Sequence, residues 1–103
     1  MIKDMIRLRL DPSKLTSFEW DKGNLGHIEK HKVDYKECEE VFFNKDLIFL
    51  GDEKHSVAEE RFKVFGRSGK GRRLAMVVTI RDTKIRVIMA RDQNKKERGD
   101  LSK

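Results

Sequence analysis

Residues 72–91 read RRLAMVVTIRDTKIRVIMAR. Apolar and polar side chains alternate on both sides of a two-residue break, Asp82-Thr83. Alternation with period two marks β-strands with one buried face. Two such runs joined by two residues make a tight antiparallel hairpin. The expected strands are Arg72–Ile80 and Ile85–Arg91. Across the loop Ile80 faces Ile85, Thr79 faces Arg86 and Val77 faces Ile88. Leu74, Met76, Val78, Ile80, Ile85, Val87 and Met89 then form the core side. Arg73, Ala75, Val77, Thr79, Arg86, Ile88 and Ala90 form the other.

The hairpin fixes the reading of its neighbours. Arg61–Gly66 also alternates, with Phe62 and Val64 as its core residues, and Leu47–Leu50 is a short apolar strand. Ser68-Gly69-Lys70-Gly71 is a turn. Upstream, Asp21 can cap a helix containing Leu25 and Ile28. Asp34 and Glu37 have capping-box spacing, and Tyr35, Cys38, Val41 and Phe42 recur at helical intervals to about Phe43. Asn94 can cap a last, basic helix. The expected fold class is α+β: two N-terminal helices packed on one face of a four-stranded antiparallel sheet, then a C-terminal helix. Residues 1–17 read as an N-terminal arm, either a short strand in MIRLRL or a mobile segment, and residues 18–103 as one domain.

The 103 residues carry a net charge of +6, and the surplus is in the second half. Residues 1–46 hold 9 Lys/Arg against 10 Asp/Glu, whereas residues 47–103 hold 15 against 8. Such asymmetry points to an anionic partner. If Phe62 and Val64 face the core, parity sends Arg61, Lys63, Phe65 and Arg67 to the open side, since a one-residue slip would bury the charges. There they join Arg73 and Arg86 around Phe65 and Val77. Guanidinium groups hold phosphates by paired hydrogen bonds, and a ring can stack on a base, so this face suits single-stranded RNA. An ordinary solvated sheet face is the plainer alternative.

The lone Cys38 rules out a disulfide framework, and its place on an apolar helix face makes it a packing residue. The N-terminal MIKDMIRLRLDPSK interrupts each apolar run with a charge, so no signal peptide or membrane span is expected there and a cytoplasmic protein is. The stretch DEKHSVAEERF holds a second capping-box spacing, Ser56 to Glu59, with His55 just before it. No second His or Cys stands at metal-ligand spacing from His55, and no metal or other cofactor is expected. His27 reads as a surface residue and His31 as a partner of a helix C-terminus.

The run FEWDKGNLGHIEKHKVDYKECEEVF, followed by DEKHSVAEERF and IRVIMARDQNKKER, closely resembles the BrnT family of bacterial type II toxins. The resemblance covers about residues 18–98. It implies a RelE-like fold, a small ribonuclease that arrests translation, and a BrnA-type ribbon-helix-helix antitoxin. Operator DNA is then reached only through the antitoxin complex, and no membrane is involved. Two departures stand out. Relatives commonly read Gly or Asn where this chain has Lys32, and the chain continues after Glu97-Arg98 with Gly99-Asp100-Leu101-Ser102-Lys103, where relatives have an aromatic and an acid.

RNA carries its own nucleophile, the 2′-hydroxyl. Cleavage without a metal needs that proton removed, the phosphorane stabilised and the 5′-oxygen protonated. Candidates for acid–base work are His55 and Glu60. Arg61, Arg67 and Arg86 are the expected phosphate and transition-state binders, Arg61 and Arg86 foremost, with Lys63 assisting. Arg73, Arg91, Lys95 and Lys96 extend the RNA-binding surface. The competing reading is a binding module that docks RNA or an antitoxin through the same cations without chemistry.

Overall fold

The computed structural model describes residues 17–44, 46–51 and 59–101. The expectations for residues 1–16, and those for His55 and the Ser56 cap, lie outside the described residues. In chain order the elements are β1 (Ser17–Phe18), α1 (Lys22–Glu29), α2 (Tyr35–Phe42), β2 (Ile48–Gly51), β3 (Arg61–Arg67), β4 (Arg73–Arg81), β5 (Lys84–Asp92) and α3 (Lys95–Leu101). The sheet order is β1-β5-β4-β3-β2. Strands β2 to β5 form the antiparallel meander, but β1 pairs in parallel with β5, Phe18 against Ile85. The sheet therefore has five strands and is mixed, not four-stranded and antiparallel. Two residues cannot show a period, so β1 has no sequence signature.

Both helix caps form as their spacing predicts. The Asn24 N–H donates to Asp21 Oδ1 at 3.1 Å, and the Asp21 N–H donates to Asn24 Oδ1 at 2.7 Å. Asn24 also donates through Nδ2 to the Glu19 carbonyl at 2.9 Å, so this buried amide is satisfied. At α2, the Asp34 N–H donates to Glu37 and Asp34 Oδ1 accepts from the Lys36 N–H. Helix α2 stops at Phe42, and Phe43, its C-cap, is 82 % exposed. Between the helices Lys32 sits at φ +58°. That is the left-handed region, which costs an L residue roughly 1 kcal/mol and suits glycine or asparagine.

The core lies between the helices and one sheet face. Ile28, Val33, Cys38 and Val41 meet Phe49, Phe62, Val64, Leu74, Met76, Val78, Ile85 and Val87. Phe18, Phe42, Phe49 and Phe62 stack edge to face or tilted, with successive centroids 5.4, 6.3 and 4.9 Å apart. Helix α2 comes so close to β3 that a Cβ on Gly66 would lie 2.7 Å from Val41 Cγ1. Arg72 ties the ends of several elements together. It donates to Asp92 (2.7 and 3.2 Å), Glu37 (3.0 Å) and the Lys32 carbonyl (2.8 Å).

The hairpin register is as expected at Ile80–Ile85 and Thr79–Arg86, and then it shifts. Val78 pairs with Val87 and Val77 with Met89, leaving Ile88 as the extra residue of a β-bulge. The expected Val77–Ile88 pair is therefore absent. The parity of everything after it reverses: Ala90, fully buried, faces the core opposite Met76, while Met89 lies on the open side opposite Val77. Continued alternation would have set Met89 opposite Met76 in the core and Arg91 opposite Leu74, where Asp92 stands instead, exposed and paired with Arg72.

Candidate functional site

The bulge assembles the open face. Arg91 pairs with Ala75 in the ladder and so shares a side with Lys63 and Phe65 of β3. Together with Arg61, Val77, Ile88 and Met89 they line a cleft of about 370 Å³. Its floor is apolar and its rim carries three cations. The remaining wall is Glu97 of α3.

Helix α3 is tied to β5 through that carboxylate. Arg91 donates to both Glu97 oxygens, at 2.8 and 3.0 Å. Glu97 in turn completes a capping box with Asn94, as the sequence predicts for the start of this helix. None of the seven residues of α3 is buried. The Arg91 hydrogen bonds hold the Glu97 carboxyl below its usual range, with Lys63 adding a smaller pull, and Glu97 raises Arg91.

Arg86 stands one row away, beside Thr79, but occupied. It donates to Asp21 at 2.8 and 3.3 Å and to Glu19 at 3.1 Å. Its side chain is 19 % exposed. Hydrogen bonds from Arg86 first, and then from the Asn24 backbone, hold the Asp21 carboxyl low. Arg86 lines a second cleft, of about 270 Å³, with Gly23, Asn24, His27 and Ile88. Ile88 belongs to both clefts, so they adjoin.

The other expected cations are dispersed. Arg67 sits at the far end of β3, paired with Asp46 at 2.6 Å. Arg73, opposite Arg67, is exposed, as are Lys95 and Lys96 on α3. Glu60 is exposed just ahead of β3, and its carbonyl accepts from Thr79 Oγ1 at 2.9 Å. Burial pushes the Cys38 thiol up to about 12, which fits a packing residue and not a nucleophile. The structure thus brings together Arg61, Lys63 and Arg91, sets Arg86 next to them, and leaves Arg67 and Arg73 outside the cleft at the far end of the β3–β4 ladder. Sequence parity missed Met89 on this face and gave Arg91 only a peripheral place, because the bulge falls between two apolar residues. His27 is exposed, as its sequence reading has it, and lines the second cleft.

Fold and site together define a small basic α+β protein with α1 and α2 on one sheet face and a cleft bordered by three cations on the other. A family model described as "Ribonuclease toxin, BrnT, of type II toxin-antitoxin system" matches residues 20–97. The chain belongs to that family of ribonuclease toxins. No curated protein matches it. Among the described residues no helix is long and apolar enough to cross a membrane.

Proposed function

We propose that the protein is a metal-independent endoribonuclease that cuts RNA by 2′-hydroxyl attack and so inhibits translation. The observation that carries this reading is the cleft in which Arg61, Lys63 and Arg91 ring an apolar floor. Phosphates match the rim, and an unstacked base matches the floor of Phe65, Val77 and Met89. Cations fixed by the sheet stabilise charge that develops on the phosphorane without reorganising. Arg61 and Arg86 flank Thr79 in one row across β3, β4 and β5, so a strand of RNA laid across the sheet meets both. Loss of one such donor typically costs about 2.7–4 kcal/mol, a hundredfold or more in rate.

Neutralisation by a ribbon-helix-helix antitoxin of the BrnA type, and operator binding through that complex, complete the reading. The Arg91–Glu97 pair supports competition at this site, because a carboxylate already occupies one rim cation. The test is tightly controlled induction in a bacterial host, with growth and RNA 3′ ends followed together. Growth arrest with new 3′ ends bearing 2′,3′-cyclic phosphates, lost in Arg61→Ala, is the expected result. Soluble expression with intact RNA would overturn it. RNA binding without new ends would favour the binding module.

A further inference from the structure

We propose that His27 is the general base of the cleavage, acting from helix α1 across the cleft it shares with Arg86. The inference rests on the ribonuclease reading and names the proton acceptor of that site. Three observations support it. First, His27 Nδ1 lies 3.1 Å from the Ile88 carbonyl oxygen. A carbonyl only accepts, so Nδ1 carries the hydrogen and the neutral ring keeps its lone pair on Nε2. Second, that carbonyl belongs to the bulge residue, which has no partner residue in the β4 ladder. The same irregularity that turns Arg91 onto the open face therefore supplies the group that orients the imidazole. Third, His27 lines a cleft with Arg86, whose guanidinium is fixed by Asp21 and Glu19. That cleft adjoins the cationic one through Ile88. His27 and the cationic cleft therefore both border Ile88.

The step balances as follows. Nε2 takes the 2′-hydroxyl proton as the 2′-oxygen bonds to phosphorus. The bond from phosphorus to the 5′-oxygen breaks, its electron pair staying on oxygen, which takes a proton from water. The hydroxide left behind is neutralised by the His27 imidazolium. The products are a 2′,3′-cyclic phosphate and a 5′-hydroxyl.

The experiment uses the full chain and an RNA containing a mapped cut site, presented on ribosomes if cleavage requires them. His27→Asn keeps an N–H for the Ile88 carbonyl and removes the base. It is expected to lower kcat at least a hundredfold while RNA binding stays within threefold and the thermal melt is unchanged. His27→Ala is expected to regain at least tenfold on addition of imidazole. Across substituted imidazoles the regained rate should rise with ring basicity, a response that a merely structural histidine would not give. Cleavage by His27→Asn within threefold of the parent, or rescue that falls with basicity, overturns the assignment. A parent chain that cuts no RNA in either format refutes the ribonuclease reading itself, which is a separate outcome.

Discussion

Replacing Gly66 by alanine tests how tightly α2 is seated on the sheet. The added Cβ would stand 2.7 Å from Val41 Cγ1. Carbon atoms pack best at roughly 3.5–4.0 Å, so the two groups must part by about an ångström. Neither side yields easily. Strand β3 is paired on both edges, with β2 and with β4. Val41 is fully buried, and a β-branched side chain in a helix has one favoured rotamer. Overpacking of this kind costs about 1–3 kcal/mol. The stiffer unfolded chain returns about 0.4–1 kcal/mol, so Gly66→Ala should lose about 1.3 kcal/mol, the middle of a range of about 0–2.6. Val41→Ala removes two buried methyl groups, about 1.6 kcal/mol of transfer energy plus a cavity contribution, or about 2–3 in all. In the double variant the new methyl occupies the space the valine vacated. Its loss should be no greater than that of Val41→Ala alone, a coupling of about 1–2 kcal/mol. Urea unfolding of the four chains at constant m-value measures this cycle. Additive losses, within about 0.5 kcal/mol, would refute the contact.

Three further outcomes are expected. Lys32→Gly should raise unfolding stability by about 0.5–1 kcal/mol, because it relieves a side chain held at φ +58°; a loss in urea titrations would contradict this. Arg72→Met removes four hydrogen bonds to partly exposed partners and should cost about 2–3 kcal/mol near neutral pH. Arg72 holds the Asp92 carboxyl below its ordinary 3.8, so that stabilisation is complete above this value and is lost as the pH falls through the depressed native one; the gap between parent and variant should therefore narrow in acid. Helix α3 should fray by the same logic once the pH drops below 4.5, the ordinary value of Glu97, and the Cα chemical shifts of Lys95–Leu101 should report it before the sheet unfolds.

Most of the scaffold was legible because it rests on short-range rules. The caps at Asp21, Asp34 and Asn94 depend on residues two or three apart, and all three form. Strand parity through Phe62, Val64, Leu74, Met76 and Val78 is set by which face can tolerate charge. What escaped depends on tertiary choices. The bulge sits among Val87, Ile88, Met89 and Ala90, where all four side chains are apolar and either parity looks acceptable. Arg86 was readable as an open-face cation, but its attachment to Glu19 and Asp21 spans more than sixty residues and follows from the unforeseen strand β1. The sequence likewise gave no reason to set His27 beside β5, since that contact is made by a main-chain carbonyl, which every residue possesses.

Ile88 is a residue the sheet can spare. Every ladder pair of β5 is made by its neighbours, so a chain shortened by this one position keeps Val87 opposite Val78, Met89 opposite Val77 and Arg91 opposite Ala75. What it gives up is the wall common to the two clefts and the carbonyl that meets His27. The strand pairing and the two clefts are thus separable here by a single deletion. Relatives that gain or lose one residue at this point would share a backbone and differ in what that backbone can do.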